Sequence, residues 1–75
     1  MRYRVVFEFQ SEDGAMSDVY NYRDEQQAQE KFDELRGEIS AAVDPDGCKI
    51  IDEPTYYCII NHNDGIYGYV RLLDE

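Results

Sequence analysis

One stretch of the chain, residues 24 to 43, constrains the fold more than any other. Ala28, Phe32, Leu35, Ile39 and Ala42 recur at spacings of four, three, four and three residues. That spacing lays them along one side of a helix with 3.6 residues per turn, so this segment must bury one stripe and wet the other. Asp24 is placed to cap the first turn, with Gln27 three residues on as in a capping box. Glu25 sets a negative charge where the helix dipole favours it. Gly37 interrupts the pattern at about 1 kcal/mol relative to alanine; either it allows a close approach of helix to sheet or it has no role. The helix is expected to stop near Val43, because Asp44 precedes Pro45 and is biased away from helical geometry.

The flanking segments have a period of two. Tyr3, Val5, Phe7 and Phe9 alternate with Arg4, Val6, Glu8 and Gln10, which predicts a strand with one buried face. Ser11-Glu12-Asp13-Gly14 is a turn, and Ala15 to Tyr22 a second strand, so the chain opens on a hairpin. After the helix, Asp44-Pro45-Asp46-Gly47 turns the chain into a short strand, Cys48 to Ile51. Asp52-Glu53-Pro54 is expected to end it, Thr55 to Ile60 to form the next strand, and Asn61 to Gly65 to turn into a last one, Ile66 to Leu73. The fold class is α+β in the order β-β-α-β-β-β: one helix on one face of an antiparallel sheet of four to five strands, with the last three strands as a meander. A chain of 75 residues supports one such domain, over residues 1–75, burying only about 60% of the surface it exposes when unfolded.

One helix cannot cover both faces of that sheet, yet both alternating rows of the last strands are partly apolar. Tyr57 and Ile59 oppose Tyr56, Cys58 and Ile60, while Ile66, Val70 and Leu72 oppose Tyr67, Tyr69 and Leu73. The sequence does not decide which row meets the helix. Tyr67, Tyr69 and one of Tyr56 or Tyr57 are expected on the open face, where a tyrosine joins a large ring to a hydroxyl that tolerates water. Such a face would hold a partner or a second copy of the chain; the ordinary alternative is that tyrosine simply suits strands.

Seventeen acids against seven bases give a net charge of −10. A nucleic-acid binder needs clustered lysine and arginine, and anionic membranes attract the same residues, so neither is an expected partner. Negative charge instead favours a protein with a basic surface. Glu30, Asp33, Glu34 and Glu38 lie on the helix away from its apolar stripe, and acids in the turns, Asp44 and Asp46 among them, would extend the row. A solvated helix face is the plain alternative. No run approaches the roughly 20 apolar residues of a membrane span, and no leader segment is visible, so the cytoplasm is the expected compartment.

Little points to catalysis. The acids at Asp44-Pro45-Asp46-Gly47 and at Asn61 to Gly65 lack the spacing of a calcium loop, which needs ligands at alternating positions and glycine at the sixth. His62 is the single histidine and has no nucleophile or orienting partner assigned to it. One histidine and two separated cysteines lack zinc spacing, and no glycine-rich phosphate loop exists. No metal, no cofactor and no catalytic residue is expected. If the hairpin turns at Asp52-Glu53-Pro54, Cys48 and Cys58 face each other across the strands and could meet as thiols or as a disulfide.

In size, acidity and α+β economy the chain resembles phage-encoded anti-restriction and anti-CRISPR proteins. That likeness implies a non-catalytic inhibitor or decoy that fills a basic groove meant for nucleic acid. No motif carries it, and no residue role is taken from it. The alternative is a small adaptor or homodimer that binds through its tyrosine-bearing sheet face.

Overall fold

The computed structural model describes residues 2–74. The elements follow in the order β1 (Tyr3–Ser11), β2 (Gly14–Tyr22), α1 (Glu25–Ala42), β3 (Lys49–Glu53), β4 (Tyr56–Asn61) and β5 (Ile66–Asp74). The strands form one antiparallel sheet of five, ordered β2-β1-β5-β4-β3, with α1 on one face. The fold is α+β. The hairpin β1–β2 and the meander β3–β4–β5 are each local, and the long-range pairing of β1 with β5 joins them into one sheet.

α1 starts as its sequence dictates. Asp24 sits in extended geometry and its carboxylate accepts the Gln26 backbone N–H at 2.9 Å. That bond satisfies one of the amides a helix start leaves without a partner. The cap thus acts through Gln26, and among the described residues Gln27 makes no reciprocal bond of the capping-box kind. Ala28, Phe32, Leu35 and Ile39 are buried as expected, but Ala42 is exposed. Val43 takes its place in the core, because the chain leaves the helix there and its extended backbone aims the side chain inward. Gly37 faces outward into open space, so it serves no close approach.

The register decides which row meets the helix. Val5 and Phe7 of β1, Val70 of β5, and Tyr57 and Ile59 of β4 lie on the helix side and close a single core with Phe32, Leu35 and Ile39. Tyr57 is therefore a core residue, and Tyr56 belongs to the other face. The close approach required for packing occurs at Gly68 rather than Gly37. A Cβ at Gly68 would stand 2.8 Å from Phe9 Cδ2 and 3.5 Å from Ile39 Cγ2, so any side chain there would have to displace the Phe9 ring.

The β3–β4 hairpin turns later than the sequence suggests. Asp52 and Glu53 are strand residues that pair with Tyr57 and Tyr56, leaving Pro54 and Thr55 as a two-residue loop. The Leu72 N–H donates to the Thr55 carbonyl at 2.8 Å and ties that loop to β5. With this register Cys58 pairs with Ile51, not with Cys48. Cys48 precedes β3, packs against the core on the helix side, and donates its Sγ–H to the Asp44 carbonyl at 3.1 Å. Cys58 lies in the row of Tyr56 and Tyr69 on the opposite face, so the two cysteines are separate free thiols. No helix of the described residues is long and apolar enough to cross a membrane.

Candidate functional site: two unlike faces and an acidic end

The open face is built from alternate residues of all five strands. Its centre is Tyr56, Cys58 and Ile60 on β4, Tyr67, Tyr69 and Arg71 on β5, and Glu8 on β1. Cross-strand pairing sets Tyr69 between Glu8 and Cys58, and Arg71 beside Tyr56. The rings of Tyr67 and Tyr69 meet edge to face at 5.9 Å, and Tyr56 and Tyr69 lie tilted at 6.3 Å. The Arg71 guanidinium stands 4.8 Å above the Tyr56 ring. These contacts pack the rings sideways against one another. Cys58 is only 2% exposed although no helix covers it, because its neighbours close over it.

Two hydroxyls of this patch are held protonated. The Tyr56 phenol is pushed above its usual range first by its hydrogen bond with Cys58, then by burial. The Tyr69 phenol is pushed up first by burial, then by its hydrogen bond to the Glu8 carboxylate. Both rings stay neutral well past neutral pH.

Charge is divided unevenly between this face and the rest. The open-face rows contain Arg4, Lys49 and Arg71 against Glu8 and Glu53, a formal charge of +1. Since the whole chain carries −10, the remainder carries −11. The acidity thus lies off the tyrosine face.

On the helix side, Glu30, Asp33, Glu34 and Glu38 are all exposed. Both bases of α1 are engaged: Lys31 with Glu34 at 2.6 Å, and Arg36 with Asp52 on β3 at 2.7 Å. Lys31 also lies over the Tyr20 ring and Arg36 over the Tyr57 ring, so they brace the flanks of the helix rather than its crest. The bond to Glu34 raises the Lys31 ammonium above its ordinary range. Glu30 and Asp33 accept only from the carboxamides of Gln26 and Gln29, one turn back. Glu38 has no cation beside it among the described residues.

The turn acids converge. The β1–β2 turn carries Glu12 and Asp13, the β4–β5 turn Asp64, and the loop from α1 to β3 Asp44 and Asp46. The register brings all three connections to one end of the sheet, and a shallow depression there is lined by Glu12, Asp13 and Asp64 together. Asp44 and Asp46 therefore join that end rather than continue the crest of the helix. Asp44 also accepts the Asp46 N–H at 3.0 Å, and Asn61, buried, organises the neighbouring turn by bonding Asn63, Asp64 and the Asp64 carboxylate. The C-terminus of α1 ends here with no basic residue in its last turn. A helix C-terminus is the negative end of the dipole, so Asp44 and Asp46, which follow it directly, add to that negative end instead of relieving it.

Sequence reasoning found the tyrosines and the helix acids but missed Glu8, Arg71 and Cys58 as parts of the aromatic patch. They join it through the β1–β5 and β4–β5 registers, and no local signal reports the first of these. Among the described residues no group of three or more histidine, cysteine or acidic side chains is arranged to hold a metal. Comparison with protein-family models, with curated proteins and with solved structures yields no match.

Proposed function

We propose that this chain is a non-catalytic acidic binding module that docks on a basic surface of a protein partner, as an inhibitor or decoy of the nucleic-acid-mimic type. One observation carries the reading. Five turn carboxylates lie at the end of the sheet where α1 stops, Asp44 and Asp46 directly after a last helical turn that contains no base. Selection for stability alone favours cations there, worth about 0.3–1 kcal/mol each. Negative charge kept against that preference supports a role in attracting a partner. Association would be steered by charge and would weaken as salt rises. Free thiols at Cys48 and Cys58 accord with action in a reducing cytoplasm.

The test is capture of partners by the tagged protein at low and at high salt, repeated with Glu12, Asp13 and Asp46 changed to lysine and, separately, with Glu30, Asp33, Glu34 and Glu38 all changed to lysine. The expected result is a nucleic-acid-binding protein that high salt releases and both reversed variants fail to hold, with unchanged circular dichroism. Retention of the same partner by the turn variant would overturn the proposed function, and retention by the helix variant would remove the helix side from the contact.

A second reading is favoured by the charge of +1 on the open face of a chain carrying −10. Interfaces are depleted in charge at their centre and enriched in tyrosine. A sheet of five strands is about 24 Å wide and its longer strands span about 30 Å. Two open faces stacked would bury roughly 600 Å² per copy, near the lower limit of a stable dimer. Both acidic helix sides would then face outward, so self-association is compatible with the first reading.

A further inference from the structure

The side of the sheet that bears α1 is not fully closed. Between the second half of α1 and the strand β2 runs a groove of about 260 Å³, with Phe9, Leu35 and Ile39 at its base and Met16 on its outer wall. Its cause is visible in β2. The helix-side row of this strand reads Met16, Asp18, Tyr20, Tyr22, of which only Tyr20 and Tyr22 pack against the core. Asp18 interrupts the row, and closing α1 over it would strip water from a carboxylate without supplying a partner. The helix therefore stays off β2 at this point, and Met16 is left 58% exposed.

Three features say what would fit. The rims carry Asp18 on the strand and Glu38 on the helix, and a second depression on the far side of Met16 is bordered by Asp13. No cation pairs with any of these three among the described residues. The outer wall is also a free sheet edge: β2 is an edge strand of nine residues with neither lysine nor proline to blunt it. The groove is smaller than the roughly 300–1,000 Å³ of pockets that enclose small ligands, so it suits side chains of a docked segment.

The geometry points to a peptide-binding site: an extended basic segment of the partner adds a strand along the free edge of β2 and drops an apolar side chain into the groove beside Met16. Main-chain bonds along the edge supply general affinity, the groove selects an apolar residue, and Asp18, Glu38 and Asp13 select lysine or arginine beside it. Methionine suits such a wall because its flexible thioether adapts to different side chains. The proposal rests on the function proposed above only for the sign of the partner's charge.

The experiment uses peptides as probes and the methyl group of Met16, labelled with carbon-13, as the reporter. Titrations with a peptide alternating lysine and leucine, with oligolysine, and with a peptide alternating glutamate and leucine separate the contributions. The lysine–leucine peptide is expected to shift the Met16 methyl to saturation, and the glutamate–leucine peptide to leave it unmoved. Oligolysine should perturb only the surface acids. Ala42→Trp, at an exposed position bordering the groove, should weaken the lysine–leucine peptide about tenfold or more and leave oligolysine unaffected. Backbone N-methylation of that peptide should abolish its shift of the Met16 methyl and reduce its binding to that of oligolysine. Equal binding of lysine–leucine peptide and oligolysine with a still Met16 methyl would overturn the groove and leave the acidic surface standing. A moving methyl with no oligolysine binding would support the groove and remove the acidic reading. Undiminished binding of the N-methylated peptide would overturn strand addition.

Discussion

The two faces of the sheet are both rich in apolar side chains, and they differ in where charge is allowed. On the face under α1, strands β1, β5 and β4 present Val5, Phe7, Val70, Tyr57 and Ile59, and the acids of that face, Asp18, Asp52 and Asp74, stand on edge strands or at a strand's last residue. On the open face Glu8 and Arg71 sit on central strands, among the tyrosines. Burial under a helix excludes charge because desolvation has no compensation there. On the open face Arg71 stays exposed, and Glu8 is paired with the Tyr69 phenol. Hydrophobic content alone therefore does not distinguish the face under the helix from the open one. The position of charge within the strand order does.

The largest expected effect comes from emptying the covered face. Phe32 is fully buried, and Phe32→Ala removes the side chain that joins α1 to the sheet. The cost should be about 3–5 kcal/mol, a large share of the roughly 5–15 kcal/mol that holds a small domain together. Tyr67→Ala on the open face should cost about 1 kcal/mol or less in the monomer. Urea denaturation of both variants measures the contrast. Equal losses would mean that the open face is as much a core as the other.

Self-association should divide the faces the other way. Tyr67→Ala combined with Tyr69→Ala is expected to convert any dimer to monomer in sedimentation equilibrium, while Phe32→Ala acts on folding. A dimer that survives the double substitution would remove the tyrosine patch from the interface.

The glycines sharpen the comparison at smaller magnitude. Gly68→Ala places a methyl 2.8 Å from the Phe9 ring and should cost about 1–3 kcal/mol. The lower end is expected, because Phe9 borders the open groove and has room to swing. Gly37→Ala meets nothing within 4 Å and should stabilise α1 by about 1 kcal/mol. Thermal unfolding of the two variants should therefore shift in opposite directions, and a loss at Gly37 would show that its backbone freedom is used.

These contrasts also show what was legible before the structure. The helix, its cap and most of its buried stripe follow from local spacing and turn chemistry, and so do the five strands. The Ala42 assignment failed because periodicity continues a stripe past the point where the chain leaves the helix, and Val43 was there to fill the gap. The cysteine pairing failed because a hairpin register depends on which residues form the turn. Asp52 and Glu53 read as turn formers but are held in β3, Asp52 by its ion pair with Arg36. The split between Tyr56 and Tyr57 needed the pairing of β1 with β5, a contact between distant segments that no periodicity encodes. The gathering of Glu12, Asp13, Asp44, Asp46 and Asp64 is of the same kind: each acid is an ordinary turn residue, and only the strand order brings the turns together.

The smallest effect is a titration, and it separates the causes acting on single rings. Tyr3 on the helix side is raised above the ordinary tyrosine value first by burial, then by the carboxylates of Glu25, Asp74 and Asp24. Tyr56 and Tyr69 on the open face are raised as well, Tyr56 chiefly through its bond with Cys58 and Tyr69 chiefly through burial. For each, the folded state holds the proton more tightly than the unfolded chain, whose tyrosines ionise near about pH 10. The contribution to stability is thus complete below that pH and is lost as pH rises through the higher folded values. Stability should fall on the alkaline side above about pH 10, and ring-carbon NMR titration should find these three phenols ionising above that value. Glu8→Gln removes the charge beside Tyr69 but not its burial. It should bring the Tyr69 titration part of the way back toward the ordinary value and leave Tyr3 unchanged. A Tyr69 titration indifferent to Glu8→Gln would break the link between the charged centre of the open face and its tyrosines.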